Sequence, residues 1–263
     1  MKFSKEELAV YKRFIILIVL SVLVVAGIKL FAPQEADEIA VASMVSDAMV
    51  EVSNQPSMIA LVPKDIELQR GLIFYQGAKV PPEAYVPLLK PLAEQGILVV
   101  IPKMPLNYAI FGIDRAAEIQ NAYPQIACWT IAGHSLGGSM AAEYASENSF
   151  RLNGIIFLAS YPAKNTSLQG MDIEGLVVRG SNDGLVSNEE VDEVIGNFPS
   201  DTTFIMLDGG NHAQFGHYGK QSGDGISTMS AEDQQTQTMQ AMLVFIDQLG
   251  GTCADIGGKK IEE

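Results

Sequence analysis

Histidine, cysteine and basic residues are all scarce in this chain, and each shortage removes a class of function. Of 263 residues, three are histidine (His134, His212 and His217) and two are cysteine. Neither type recurs at zinc-site spacing, so no metal is expected. Two cysteines do not make a disulfide framework in a chain of this size. Cys128 lies in an apolar run and reads as a small core residue, while Cys253 falls in the C-terminal tail. Two reduced thiols are the favoured reading and a bridge between them the alternative, because a buried strand residue seldom reaches a tail. Lysine and arginine number 17 against 31 aspartates and glutamates, a net charge of −14. Residues 1–30 carry five basic side chains against two acidic ones, which leaves −17 for the remainder. So acidic a body repels phosphate backbones, and nucleic acid is excluded as a partner.

Apolar residues, by contrast, make up 48% of the chain, enough for a substantial core in one domain of ordinary to large size. Phe14–Ile28, FIILIVLSVLVVAGI, holds no charge, and Leu30 and Phe31 extend its apolar reach to about 27 Å if Lys29 snorkels. Lys12 and Arg13 immediately precede it. The positive-inside rule then leaves residues 1–13 in the cytoplasm, makes 14–31 a transmembrane signal-anchor and exports the rest. The alternative is a cleaved signal peptide ending at Val24-Val25-Ala26; either reading puts the body outside the cytoplasm. Residues 32–46 read as a linker, 47–250 as the folded domain and 251–263 as a tail.

Within the domain, Ala48–Val52 and Met58–Val62 read as short strands. Continuous apolar runs then alternate with helical stretches. The strands are Gly71–Tyr75, Ile97–Ile101, Ile126–Ala132, Gly154–Ser160, Gly175–Val178 and Thr203–Leu207. The helices are Tyr85–Gln95, Ile113–Tyr123, Leu136–Glu147, Asn188–Asn197 and Ala231–Leu249. Apolar strands alternating with helices predict an α/β fold, a mostly parallel, doubly wound sheet covered on both faces.

Between the strand IACWTIA and the helix LGGSMAAEYASE lies Gly133-His134-Ser135-Leu136-Gly137, a G-x-S-x-G pattern. A serine at a sharp strand-to-helix turn needs neighbours without side chains two positions away on each side, and the glycines meet that need. Such a nucleophile expects an acid and then a base downstream. Asp183 follows the strand Gly175–Val178 in a Gly/Ser/Asn-rich turn, where catalytic groups of parallel sheets gather. Glu189, Glu190 and Asp192 read as a solvated helix face. Two histidines follow Ser135, both in GGNHAQFGHYG. His212, just past a strand, is the expected base, with His217 the alternative, whereas His134 adjoins the serine and should point away from it. Two backbone amides should face the developing oxyanion. One is that of Leu136, and the other that of Ala78, with Gly77 beside it as the alternative.

With these residues in place the chain resembles the α/β-hydrolase superfamily, and within it the small lidless fold-5 group that is similar to dienelactone hydrolases. FYQGAKV, YVPLLKPLAEQGILVVIPKMPLN, AGHSLGG, GSNDGLV and GGNHAQFGHYGKQSGDG carry the resemblance, in order, over Gly71–Leu249. It implies an α/β-hydrolase fold with Ser135 as nucleophile, Asp183 as acid and His212 as base. Position 135 is serine where dienelactone hydrolases have cysteine, so their substrate does not transfer. Gln76-Gly77 stands where many members have His-Gly. About fifteen residues separate Ser160 from the next strand, too few for a lid, which predicts an open site walled by Tyr161 and Phe215. The expected activity is cleavage of a small-molecule carboxylic ester or related acyl bond through an acyl-enzyme, without a cofactor. Acyl transfer by the same residues, and a catalytically silent envelope-binding scaffold, are the alternatives; oligomeric state is not legible.

Overall fold

This computed structural model describes residues 11–12, 15–21 and 33–257, the last eight as backbone alone. The chain divides into residues 1–33 and residues 34–263. In the first unit residues 15–21 are helical, a rise of about 10 Å against the roughly 30 Å of a bilayer core. Phe14 and residues 22–31, the rest of the expected span, lie outside the described residues. No helix among the described residues is long and apolar enough to cross a membrane, so the transmembrane expectation has no structural support.

In the second unit eight strands form one sheet: β1 (Val50–Asn54), β2 (Met58–Pro63), β3 (Arg70–Tyr75), β4 (Ile97–Pro102), β5 (Cys128–His134), β6 (Gly154–Leu158), β7 (Glu174–Gly180) and β8 (Thr202–Leu207). Their spatial order is β1-β2-β4-β3-β5-β6-β7-β8. The first two join antiparallel and all later neighbours are parallel. Six helices accompany the sheet: α1 (Glu38–Ser43), α2 (Val86–Glu94), α3 (Arg115–Ala122), α4 (Leu136–Asn148), α5 (Asn188–Glu193) and α6 (Ala231–Gly257).

The alternation of side chains along a strand divides the core in two. Leu72 and Phe74 of β3 pack with Leu88 and Leu92 of α2 and Met242 and Ile246 of α6. Ile73 and Tyr75 pack on the opposite face with Ile119 of α3 and Ala141 and Tyr144 of α4. Every residue of β4 and β5 is buried. This is why these strands read as unbroken apolar runs and not as an in-out alternation.

Expectations change in the linker, at the last helix and at Cys128. The stretch read as linker holds α1, which Asp37 caps by accepting the Ala40 N–H at 3.0 Å. The last helix does not end at Leu249 but continues through two glycines to Gly257. Cys128 is buried at the start of β5 and disulfide-bonded, so it is more than a small core residue. The parallel arrangement brings the C-terminal ends of β3, β5, β7 and β8 to one edge of the sheet, and the candidate residues follow those ends.

Candidate active site

Ser135 joins β5 to α4 with φ 52° and ψ −126°. A non-glycine residue in that region is strained and persists only where its surroundings hold it. Here they do. A Cβ on Gly133 would lie 2.4 Å from the backbone of Gly137 and Gly138, and one on Gly137 would lie 2.2 Å from the Tyr75 carbonyl oxygen. The Ser135 N–H donates to the Leu158 carbonyl of β6 at 3.0 Å. The Ser135 carbonyl accepts from the Ser160 hydroxyl at 2.6 Å. Thus β3, β5, β6 and α4 all close on the turn.

Asp183 and His212 come together at the ends of β7 and β8. His212 Nδ1 lies 3.0 Å from Asp183 Oδ2, and both side chains are 1% exposed. The other carboxylate oxygen, Oδ1, accepts the N–H groups of Leu185 and Val186 at 2.8 and 2.9 Å. His212 Nε2 is buried and has no hydrogen-bond partner among the described residues, the Ser135 hydroxyl included. The ring preceding Ser135, that of His134, lies 4.7 Å centroid to centroid from His212 and bonds its carbonyl oxygen through Nε2 at 3.1 Å. The serine turn and the His212 loop are therefore in direct contact.

The loop after β3 separates the two amides between which the sequence left a choice. Gly77 N–H donates to Tyr85 Oη at 2.9 Å and is engaged. Lys79 N–H donates to Asn107 O and Val80 N–H to Gly77 O, whereas Ala78 N–H makes no such bond. Leu136 opens α4, and its N–H is among those a helix leaves without an internal partner. Because Gly137 abuts the Tyr75 and Gln76 carbonyls, the segments that carry Leu136 and Ala78 touch.

His217 is not part of this group. Its Nδ1 lies 2.9 Å from Asp37 Oδ2, and the Asp37 N–H donates to its carbonyl at 2.9 Å. Phe215 is fully buried, its ring 5.7 Å from that of His134, so it forms floor beneath the loop and not an exposed wall. Tyr161 is half-buried, with its hydroxyl 3.3 Å from Glu190.

Asp224 was not legible as a site residue. Its Oδ1 accepts from Gly184 N and His212 N at 3.2 Å each and from Gly225 N at 2.7 Å, and its Oδ2 accepts from Ala213 N at 2.8 Å. One carboxylate thereby fastens the Asp183 turn to the His212 loop. The signal was the flanking pair Gly223 and Gly225; a Cβ on Gly225 would sit 1.9 Å from the Asn182 carbonyl oxygen.

A family model described as the alpha/beta hydrolase family matches residues 71–236. No curated protein matches the chain. Among solved structures, Est1E from Butyrivibrio proteoclasticus is 13% identical, with 78% of this chain and 100% of that one covered at a TM-score of 0.55. A predicted CIB-like hydrolase from Thermoplasma acidophilum is 20% identical, covering 74% and 97% at 0.51. An alpha-beta serine hydrolase homologue from Coxiella burnetii is 17% identical, covering 76% and 97% at 0.52. At such identities the likeness is one of fold.

Proposed function

The chain belongs to the alpha/beta hydrolase family, and we propose that it is a serine hydrolase that cleaves a carboxylic ester or related acyl bond of a small molecule. One observation carries this reading: His212 is gripped at Nδ1 by the buried Asp183 while its buried Nε2 is unpartnered, beside the strained turn of Ser135. An imidazole whose Nδ1–H is held by a carboxylate presents Nε2 as the base. In sites without substrate that base often stands off from the nucleophile and closes on it only in the reacting complex.

Ser135 Oγ attacks the acyl carbon as its proton passes to His212 Nε2. The carbonyl electrons move onto oxygen, and the N–H groups of Leu136 and Ala78 donate hydrogen bonds to the oxyanion. As the intermediate collapses, the acyl–oxygen bond breaks and the leaving alcohol takes the proton from Nε2, which leaves the acyl group on Ser135. Water repeats the sequence and frees the acid. Asp183 keeps the imidazole in the Nδ1–H form and offsets its charge when it is protonated.

Fluorophosphonate labelling beside a chromogenic ester panel tests the reading. Wild type is expected to label, and Ser135→Ala to lose labelling and about 10⁴- to 10⁶-fold in kcat. A folded wild type that neither labels nor turns over any ester points instead to a scaffold. Export and anchoring rest on the uncharged Phe14–Ile28 behind Lys12 and Arg13, and the disulfide-bonded Cys128 suits an oxidising compartment. Membrane fractionation checks this part: the full chain is expected to stay with membranes after an alkaline carbonate wash, and its recovery in the cytosol rejects it.

A further inference from the structure

His134 is excluded as the base, yet it is 1% exposed and both of its ring nitrogens are engaged. The bonds it makes have one consistent direction. Nε2 faces the His212 carbonyl oxygen, which can only accept, so the ring proton sits on Nε2. Burial pushes the imidazole well below its usual pKa, and the neighbouring His212 adds to this, so His134 is neutral and Nδ1 is a bare acceptor. The fully buried Tyr85 hydroxyl, 2.9 Å away, must therefore donate to Nδ1. The Tyr85 oxygen in turn accepts the Gly77 N–H at 2.9 Å. Gly77 is glycine because the approach is close: a Cβ there would lie 2.9 Å from His134 Nδ1 and 3.0 Å from Tyr85 Oη.

We propose that Tyr85 and His134 are positioning residues, a one-way hydrogen-bond chain from the Gly77 amide to the His212 carbonyl that fixes the loop after β3 to the loop bearing the base. The chain starts one residue before Ala78, passes through the residue before Ser135 and ends on the main chain of His212. It engages the Gly77 amide and leaves the next amide, which makes no backbone hydrogen bond, to serve as an oxyanion donor. Because its central ring is neutral, His212 can take a proton 4.7 Å away, centroid to centroid, without meeting a second cation. Neither side chain touches substrate; both act through groups that do. The consequence for catalysis rests on the serine-hydrolase reading, whereas the hydrogen-bond chain itself does not.

The test pairs imidazole NMR with kinetics on the full chain, using Tyr85→Phe, His134→Gln and the double variant. Tyr85→Phe keeps the ring and its packing on Phe74, 4.7 Å between centroids, so a folded protein is expected. In ¹⁵N-histidine-labelled wild type, His134 should be the Nε2–H tautomer with a hydrogen-bonded Nδ1 and should stay neutral where an ordinary imidazole titrates, near pH 6.5. In Tyr85→Phe that Nδ1 should shift to the value of a free acceptor. Turnover of the chromogenic ester should fall about 10- to 100-fold with KM within about twofold, as expected for misplaced groups and not for lost substrate contacts. The double variant should be no slower than the slower single variant, because each change breaks the same chain. An Nδ1–H tautomer overturns the proposal, as does wild-type turnover in Tyr85→Phe or strictly additive losses. Should wild type fail to label at Ser135, the hydrolase reading falls, and the tautomer and the Tyr85→Phe shift still decide the chain.

Discussion

Asp224 concentrates more of the site's order than its position in the sequence suggests. Four backbone N–H groups converge on it, two from the His212 loop and one from the Asp183 turn. Replacing Asp224 by Ala strands these donors. The expected cost is about 2 to 4 kcal/mol, a few unmet hydrogen bonds of which solvent recovers part, read as a lower urea midpoint. Turnover should fall by more than KM rises, since Asp183 and His212, the proposed acid and base, separate while no substrate contact is removed. A variant with unchanged midpoint and kcat contradicts the clasp. At this scale the sequence was most legible where a residue's chemistry is tied to a strand end. Ser135, Asp183 and His212 follow β5, β7 and β8, and the two glycines around the serine announce the turn. Tyr85, Ser160 and Asp224 were hidden because their roles lie in what they touch across the fold, and nothing local to a tyrosine or serine specifies a partner 49 or 25 residues away.

At the scale of elements, the unbroken apolar runs became the buried strands, and the departures have local causes. The expected helix Asn188–Asn197 stops at Glu193 and ends in a 3-10 turn that includes Gly196, a residue that disfavours helix. In the last helix, Gly250 and Gly251 lower helix propensity without forbidding it, and the helix runs through them. Six-residue α1 is too short to be stable alone and owes its place to Asp37, which caps it and meets His217. Burial raises the Asp37 pKa, but the Ala40 N–H and the His217 bond and charge outweigh it, and the carboxyl lies below its usual 3.8. A carboxyl depressed on folding contributes stability above its unfolded pKa and loses it as pH falls through the folded value. Asp37→Ala is thus expected to cost about 0.5 to 2 kcal/mol at pH 7, chiefly the cap, because the side chain is 42% exposed and solvent screens the pair. Urea unfolding at descending pH should show the gap to wild type closing below about 3.8; a gap that widens there would contradict a depressed Asp37 pKa.

For the whole molecule, the two-sided core and the parallel sheet were legible because an unbroken apolar run reports a strand buried on both faces. The state of Cys128 was not: the sequence placed the only other cysteine in a tail, whereas the helix runs past position 253. A disulfide in a domain of this size contributes about 2 to 4 kcal/mol, mainly by restricting the unfolded chain. Dithiothreitol should lower the unfolding free energy by that amount while leaving the kcat of the folded fraction unchanged, a result checked by urea unfolding and by assaying reduced and oxidised protein below the transition. A matching loss of kcat would place the bond's influence in the site. Geometry argues otherwise. Strand β5 carries Cys128 at its first residue and His134 at its last, about 20 Å apart along an extended chain. One strand thus bears the covalent fastening at its tail and leads at its tip into the turn of the proposed nucleophile. The redox state of the surroundings would then govern how long each molecule survives, and leave untouched how fast it works while it does.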